Sequence, residues 1–134
     1  MGNAGLFRPW QVSASGMKAE WKRMQVIASN LANAETTRTP SGGPYRRRRI
    51  VFSTTLDEMN GVQTTDVLKS SKPPRMVHDP GHPDANAQGY VAMPNVKRPE
   101  EMVDMLSASR AYQANLAAMG SMKKVFNESI KLLG

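Results

Sequence analysis

Apolar positions recur with helical spacing at both ends of the chain and with strand-like spacing in the middle. Near the N-terminus, Trp10, Ala14, Met17, Trp21, Met24, Ala28 and Leu31 step by 4, 3, 4, 3, 4 and 3, a heptad seam held over three repeats. The opposite side carries Lys18, Lys22, Arg23 and Gln25. Pro9 suits a first helical turn. After Leu31 come Asn33, Thr36 and Thr37, and then the breakers Thr39, Pro40, Ser41, Gly42, Gly43 and Pro44. This spacing predicts a helix over residues 9–33.

The C-terminal end follows the same rule. Met102, Met105, Ser109, Tyr112, Leu116, Met119, Lys123, Phe126, Ile130 and Leu133 step by 3 and 4 without a slip, with Ser109 and Lys123 as polar interruptions. Pro99, Glu100 and Glu101 supply the proline and the acidic groups that a helix N-terminus favours. The predicted helix covers residues 99–132. Gly120 lies inside it at a cost of about 1 kcal/mol relative to Ala, and either permits close helix approach or marks a bend.

Between the helices the period changes. Residues 45–52, 62–69, 75–78 and 89–93 read as short strands, with Asn60-Gly61 and Asp79-Pro80-Gly81 as turn signals. Eight of the nine prolines fall between residues 40 and 99, so the β core is expected to be thin. The fold expected is mostly α with a small β element. Its N- and C-terminal heptad helices pack as an antiparallel coiled-coil pair around a short, irregular β segment, dividing the chain at 1–37, 38–98 and 99–134. Burial along two such seams falls short of the entropy lost in ordering them. The helices need more neighbours than one chain supplies, which favours an assembly subunit over a free-standing enzyme.

Composition narrows the chemistry. The 134 residues contain no Cys and only two His, which excludes disulfide scaffolds, thiol nucleophiles and Cys-type zinc sites. No apolar run reaches the ~18 residues that a membrane span needs. The first ten residues form no continuous apolar stretch, so a cleavable secretory signal is not expected, and any export would leave the chain unprocessed. Ten Met suit helices that pack against changing neighbours. The net charge of +7 is uneven: residues 1–37 carry four basic and two acidic groups, residues 38–98 ten and five, residues 99–134 four and four. Most of the excess is Arg46, Arg47, Arg48 and Arg49.

Three ordered stretches carry a resemblance. Ala28-Ser29-Asn30-Leu31-Ala32-Asn33-Ala34-Glu35-Thr36 resembles the S-N-(hydrophobic)-A-N-A-x-T element of bacterial flagellar rod and hook axial proteins. Ser109-Arg110-Ala111-Tyr112-Gln113-Ala114-Asn115 resembles the R-(A/S)-Y-x-A-N element of their C-terminal helix, and Gly89-Tyr90-Val91-Ala92-Met93-Pro94-Asn95-Val96 looks like the signature of the short proximal-rod branch. The resemblance spans the chain from about residue 12. It implies an axial structural protein of the basal body, whose terminal helices fold on assembly into a helical tube. It also implies uncleaved delivery through the flagellar type III export apparatus to the periplasm. The implied partners are copies of itself, other rod proteins, and membrane-ring and rod-adaptor proteins. The first ten residues, with Phe7 and Trp10, and the dense arginine run depart from the pattern.

Under that resemblance the assembly residues are Met17, Trp21, Met24 and Leu31, facing Tyr112, Leu116, Met119 and Phe126, with Asn30, Asn33, Arg110 and Asn115 as polar members. Asn30 and Asn33 either bond across helices or subunits or cap the first helix locally. Arg110 pairs with Asp104 or with an acidic group of another subunit. The arginine run admits a second reading, a basic coiled-coil protein binding nucleic acid through Arg46 to Arg49. Against it, alternate arginines on a strand point to opposite faces, and no nucleic-acid-binding motif accompanies them. His78, Asp79, His82 and Asp84 have metal-ligand chemistry, but their Pro-Gly-x-Pro frame is turn chemistry. No cofactor, metal, small-molecule substrate or catalytic set is expected.

Overall fold

The computed structural model describes residues 2–54 and 63–134. Its elements run α1 (Gly2–Ala32), β1 (Arg48–Thr54), β2 (Gln63–Lys69), β3 (Arg75–His78), β4 (Tyr90–Met93) and α2 (Arg98–Leu133). The two helices lie antiparallel, with Gly16 against Asn115, Trp21 against Tyr112 and Asn30 against Glu101. α2 has 36 residues, a length of about 54 Å at 1.5 Å per residue.

α2 starts where its signals say, with a proline in the first turn and Glu100 and Glu101 beside it. α1 does not: it begins at Gly2 and holds Pro9 inside. Proline removes one main-chain hydrogen bond, yet its fixed φ near −65° is itself helical, so the helix can continue on both sides of it. β1 begins at Arg48 rather than at Tyr45, because the Tyr45 N–H is already donated to the Thr36 carbonyl (3.0 Å) at the exit of α1. The expected Asn60-Gly61 turn lies outside the described residues.

The strands form two separate antiparallel ribbons rather than one sheet. β1 pairs with β2 from Arg48↔Lys69 to Thr54↔Gln63, and β3 pairs with β4 from Arg75↔Met93 to His78↔Tyr90. A lone two-stranded ribbon is marginal in water. The first ribbon leans on α1, which meets both β1 and β2.

The packed faces of the helices are displaced from the apolar seams by one residue. On α1 the inner line is Ser13, Gly16, Glu20, Arg23, Ile27 and Asn30, all buried or half-buried. On α2 it is Glu101, Asp104, Ala108, Ala111, Asn115, Ala118 and Met122, again buried or half-buried. Each position precedes one of the predicted seam by a single residue. Small side chains explain part of the choice, because Ser13, Gly16, Ala108, Ala111 and Ala118 let the two helices approach closely. A Cβ on Gly16 would sit only 3.0 Å from the Asn115 amide nitrogen, so Gly16 is where close approach is needed. Among the described residues nothing lies within 4 Å of the Gly120 Cβ position, so Gly120 marks no such close approach there.

Candidate assembly interface

The most constrained point is the junction of α1, β1 and α2, and Asn30 is its centre. Its amide nitrogen donates to the Arg48 carbonyl (2.8 Å) and to Glu101 Oε2 (3.2 Å). Its amide oxygen accepts from the Arg48 N–H (2.9 Å) and from the Tyr45 hydroxyl (2.9 Å). The single phenolic proton is thereby used, so the Ser29 hydroxyl donates to Tyr45 (3.1 Å). Asn30 mimics a strand neighbour for Arg48, pairing with both its N–H and its C=O. It starts the β1–β2 ribbon from the end of a helix.

Glu101 is fully buried, and a buried carboxylate must be paired. Arg47 Nε meets its Oε1, while Arg47 Nη2 reaches Asp104 Oδ2 at 3.5 Å. Residues 30, 47 and 101 thus form one chain of contacts, and every buried side-chain nitrogen and oxygen among the described residues has a partner. A small apolar cluster of Ala34, Tyr45 and Val96 sits beside it.

A second tie joins the exit of α1 to the β3–β4 connection. Thr37 Oγ1 donates to Asp84 Oδ2 (2.6 Å) and Arg38 Nε to Asp84 Oδ1 (2.5 Å). The Thr37 hydrogen bond, followed by the Arg38 one, holds the Asp84 carboxyl below its usual value. The connection turns on Gly89, whose φ of +83° suits glycine, and where a Cβ would meet Pro80 at 3.0 Å. Asn86 Oδ1 accepts from the N–H groups of Gln88 (3.0 Å) and Tyr90 (2.9 Å), completing the turn. The histidines are turn parts too: His82 Nδ1 accepts from the Asp84 N–H (3.0 Å), and His78 packs edge-on against Tyr90.

The residues singled out from sequence divide into three groups. Asn30 is buried and interhelical, its amide wholly used within the chain. Asn33 makes the local cap, donating to the Ser29 carbonyl (2.9 Å) and accepting from the Thr36 hydroxyl (3.1 Å). Asn115 turns back onto its own helix, donating to the Ala111 carbonyl (3.0 Å). Met17, Met24, Leu31, Tyr112 and Met119 are half-buried at the edge of the helix pair, where Trp21 and Tyr112 meet with ring centres 6.2 Å apart. Trp21, Leu116, Phe126 and Arg110 face outward. Asp104 is the partner of Arg47 and not of Arg110.

Outside the inner faces, large apolar groups remain on the surface. Met102, Leu106 and Leu116 are 64%, 53% and 51% exposed. With Ser109 and Gln113 between them they step by 4, 3, 4 and 3, forming a second stripe on α2. Trp21 is 55% exposed on α1. The four arginines do not make a common phosphate-binding face: Arg47 is held by two carboxylates and Arg48 lies over the Tyr45 ring at 5.6 Å. Sequence inspection missed Glu101, Arg47, Tyr45 and Gly16. Glu101 meets Asn30 from 71 residues away and Gly16 meets Asn115 from still farther along the chain, and no local signal distinguishes them.

Comparison with known proteins agrees with this architecture. The family described as flagella basal body rod protein matches residues 11–38, and that described as flagellar basal body rod FlgEFG protein C-terminal matches residues 87–132. Together the matched segments cover most of the helix pair, including Asn30 and Glu101 but not Tyr45, Arg47 or Arg48. A flagellar basal-body rod protein FlgC of Borreliella burgdorferi is 39% identical over 96% of this chain and 98% of its own. The proteins of that name from Salmonella typhimurium (39% identical, 95% of this chain and 97% of its own) and Bacillus subtilis (37%, 94% and 97%) are similar over the same extent. The chain belongs to the FlgC family of flagellar basal-body rod proteins, which are structural subunits rather than enzymes.

Proposed function

We propose that the chain is a subunit of the proximal rod, whose terminal helices pack against neighbouring subunits to build the tube carrying torque from the membrane ring to the distal rod and hook. The observation that carries this reading is the distribution of apolar side chains. The faces turned toward each other mix small with polar and charged residues, whereas Trp21, Met102, Leu106 and Leu116 point outward. Exposed apolar stripes of this kind mark interaction surfaces. Covering one Leu or Met in a neighbour's groove contributes about 2 kcal/mol, repeated for every subunit in the wall.

In this reading the inner face and the junction make one rigid unit, and the outer stripe makes the wall. Met17, Trp21, Met24, Leu31, Tyr112, Leu116, Met119 and Phe126 belong to the wall's apolar layer. Arg110 supplies a charge at the interface, and Asn33 and Asn115 sit where a neighbour reaches the helix ends and flanks. The partners are copies of the chain, other rod proteins, and ring and adaptor proteins at the proximal end. The chain reaches the periplasm through the flagellar type III export apparatus without cleavage. Leu116→Asp tests the reading, since it places a charge in the outer stripe and leaves the inner face intact. The variant is expected at normal levels but absent from isolated hook–basal bodies, with swimming lost. Normal swimming would refute the assignment of the stripe.

A further inference from the structure

Beside the junction lies a groove of about 430 Å³ between the β1–β2 ribbon and the start of α2. Arg49, Lys69, Lys72 and Lys97 line it, together with Asn95 and the single carboxylate of Glu100. Lys97 pairs with Glu100 at 3.7 Å. No carboxylate among the described residues lies within ion-pair distance of Arg49, Lys69 or Lys72. Across the ribbon Lys69 also faces another cation, Arg48, its direct partner. Like charges placed opposite one another destabilise a ribbon. Among the described residues, Arg49, Lys69 and Lys72 therefore line one groove with no carboxylate paired to them.

We propose that this groove receives acidic side chains, Asp or Glu, from a different and acidic subunit of the axial assembly. This rests on the rod-subunit reading above and names the chemistry of one of its contacts. A second copy of the chain is a poor occupant. Copies that meet elsewhere along their helices still carry the same basic middle segment, ten basic to five acidic groups over residues 38–98, which a basic groove repels within the ~10 Å Debye length. A phosphate polymer is also a poor fit. The groove is short, with room for a few side chains, and the arginines beside it are diverted to Glu101 and to Tyr45. Ser70, Ser71 and Asn95 add neutral hydrogen-bonding groups that suit carboxylate oxygens.

Carbodiimide treatment of isolated hook–basal bodies joins an ammonium to a carboxylate only where the two touch. The expected product, read by mass spectrometry, is an amide from Lys69 or Lys72 to an Asp or Glu of another chain of different sequence. A link to a second copy, or no link at these lysines while other intersubunit lysine links form, overturns the proposal. Nuclease-sensitive attachment would do the same in favour of nucleic acid. Reversing the three charges (Arg49→Glu, Lys69→Glu, Lys72→Glu) should lower recovery in basal bodies by about tenfold or more. The charge-preserving pair Lys69→Arg, Lys72→Arg should keep it. If the wild-type chain is missing from the particles, the rod reading itself fails; if the reversed variant assembles normally, only the groove assignment does.

Discussion

Asn30→Ala is the substitution with the largest expected effect for its size. Four bonds are lost at once, but their consequences differ. Tyr45 keeps Ser29 and Glu101 keeps Arg47, so these two retain a partner. The Arg48 N–H and C=O do not, because Asn30 is the strand-like neighbour for both. Two orphaned main-chain groups at about 1–3 kcal/mol each give a loss of about 2–6 kcal/mol. Even a well-supported domain has only about 5–15 kcal/mol in total, so for a chain with so thin a core the loss is a large share. The control is Asn33→Ala, where a half-buried local cap is removed, and a loss of about 1 kcal/mol is expected. Urea denaturation followed by tryptophan fluorescence measures both, and the comparison is insensitive to the absolute stability. Equal losses in the two variants would refute the junction as the organising point. A changed denaturant slope with little change in midpoint would point instead to fraying of the β1–β2 ribbon alone.

Three further outcomes follow from other contacts. Gly16→Leu forces α1 away from Asn115, and a loss of about 1–3 kcal/mol is expected, smaller in the double variant with Asn115→Ala; additive losses would place the strain elsewhere. Gly16→Ala should be nearly neutral, because the gain of about 1 kcal/mol in helix propensity opposes a contact that a small swing of the Asn115 amide relieves. Asp84→Asn removes an acceptor whose folded value is depressed, so its stabilisation is present above the ordinary aspartate value of 3.8 and is lost as pH falls through the lower folded one. Wild type and this variant should therefore differ at neutral pH and converge in acid, in a thermal melt followed across pH; a difference unchanged by acid would refute the tie.

Under the proposed function the two ties have a mechanical meaning. One joins the end of α1 to the start of α2 through buried polar contacts, and the other joins the following loop to the β3–β4 turn. A subunit that transmits load benefits from junctions that are directional, and hydrogen bonds constrain angles in a way that apolar packing does not. The outer stripe is the opposite kind of surface, apolar and non-directional.

Much of the architecture is legible in the sequence. Heptad spacing locates both helices because the 3.6-residue period is a property of the local chain, and proline and glycine mark where that period cannot continue. The change to alternating, β-branched residues locates the strands for the same reason. Which face turns inward is a different matter. Apolar spacing points to Met17, Trp21, Leu116 and Phe126, yet the helices meet one residue earlier, on Ser13, Gly16, Ala108 and Asn115. Close packing of backbones is decided by the absence of bulk, and small residues have no conspicuous periodic signal beside large ones. The junction is hidden more deeply still. Nothing within a few residues of Asn30, Arg47 or Glu101 says that an asparagine will stand in for a β-strand or that one glutamate among eleven acidic residues will be fully buried. Those roles exist only once residues 18 and 71 positions from Asn30 are brought beside it, because a buried polar group is tolerable only with all its partners in place.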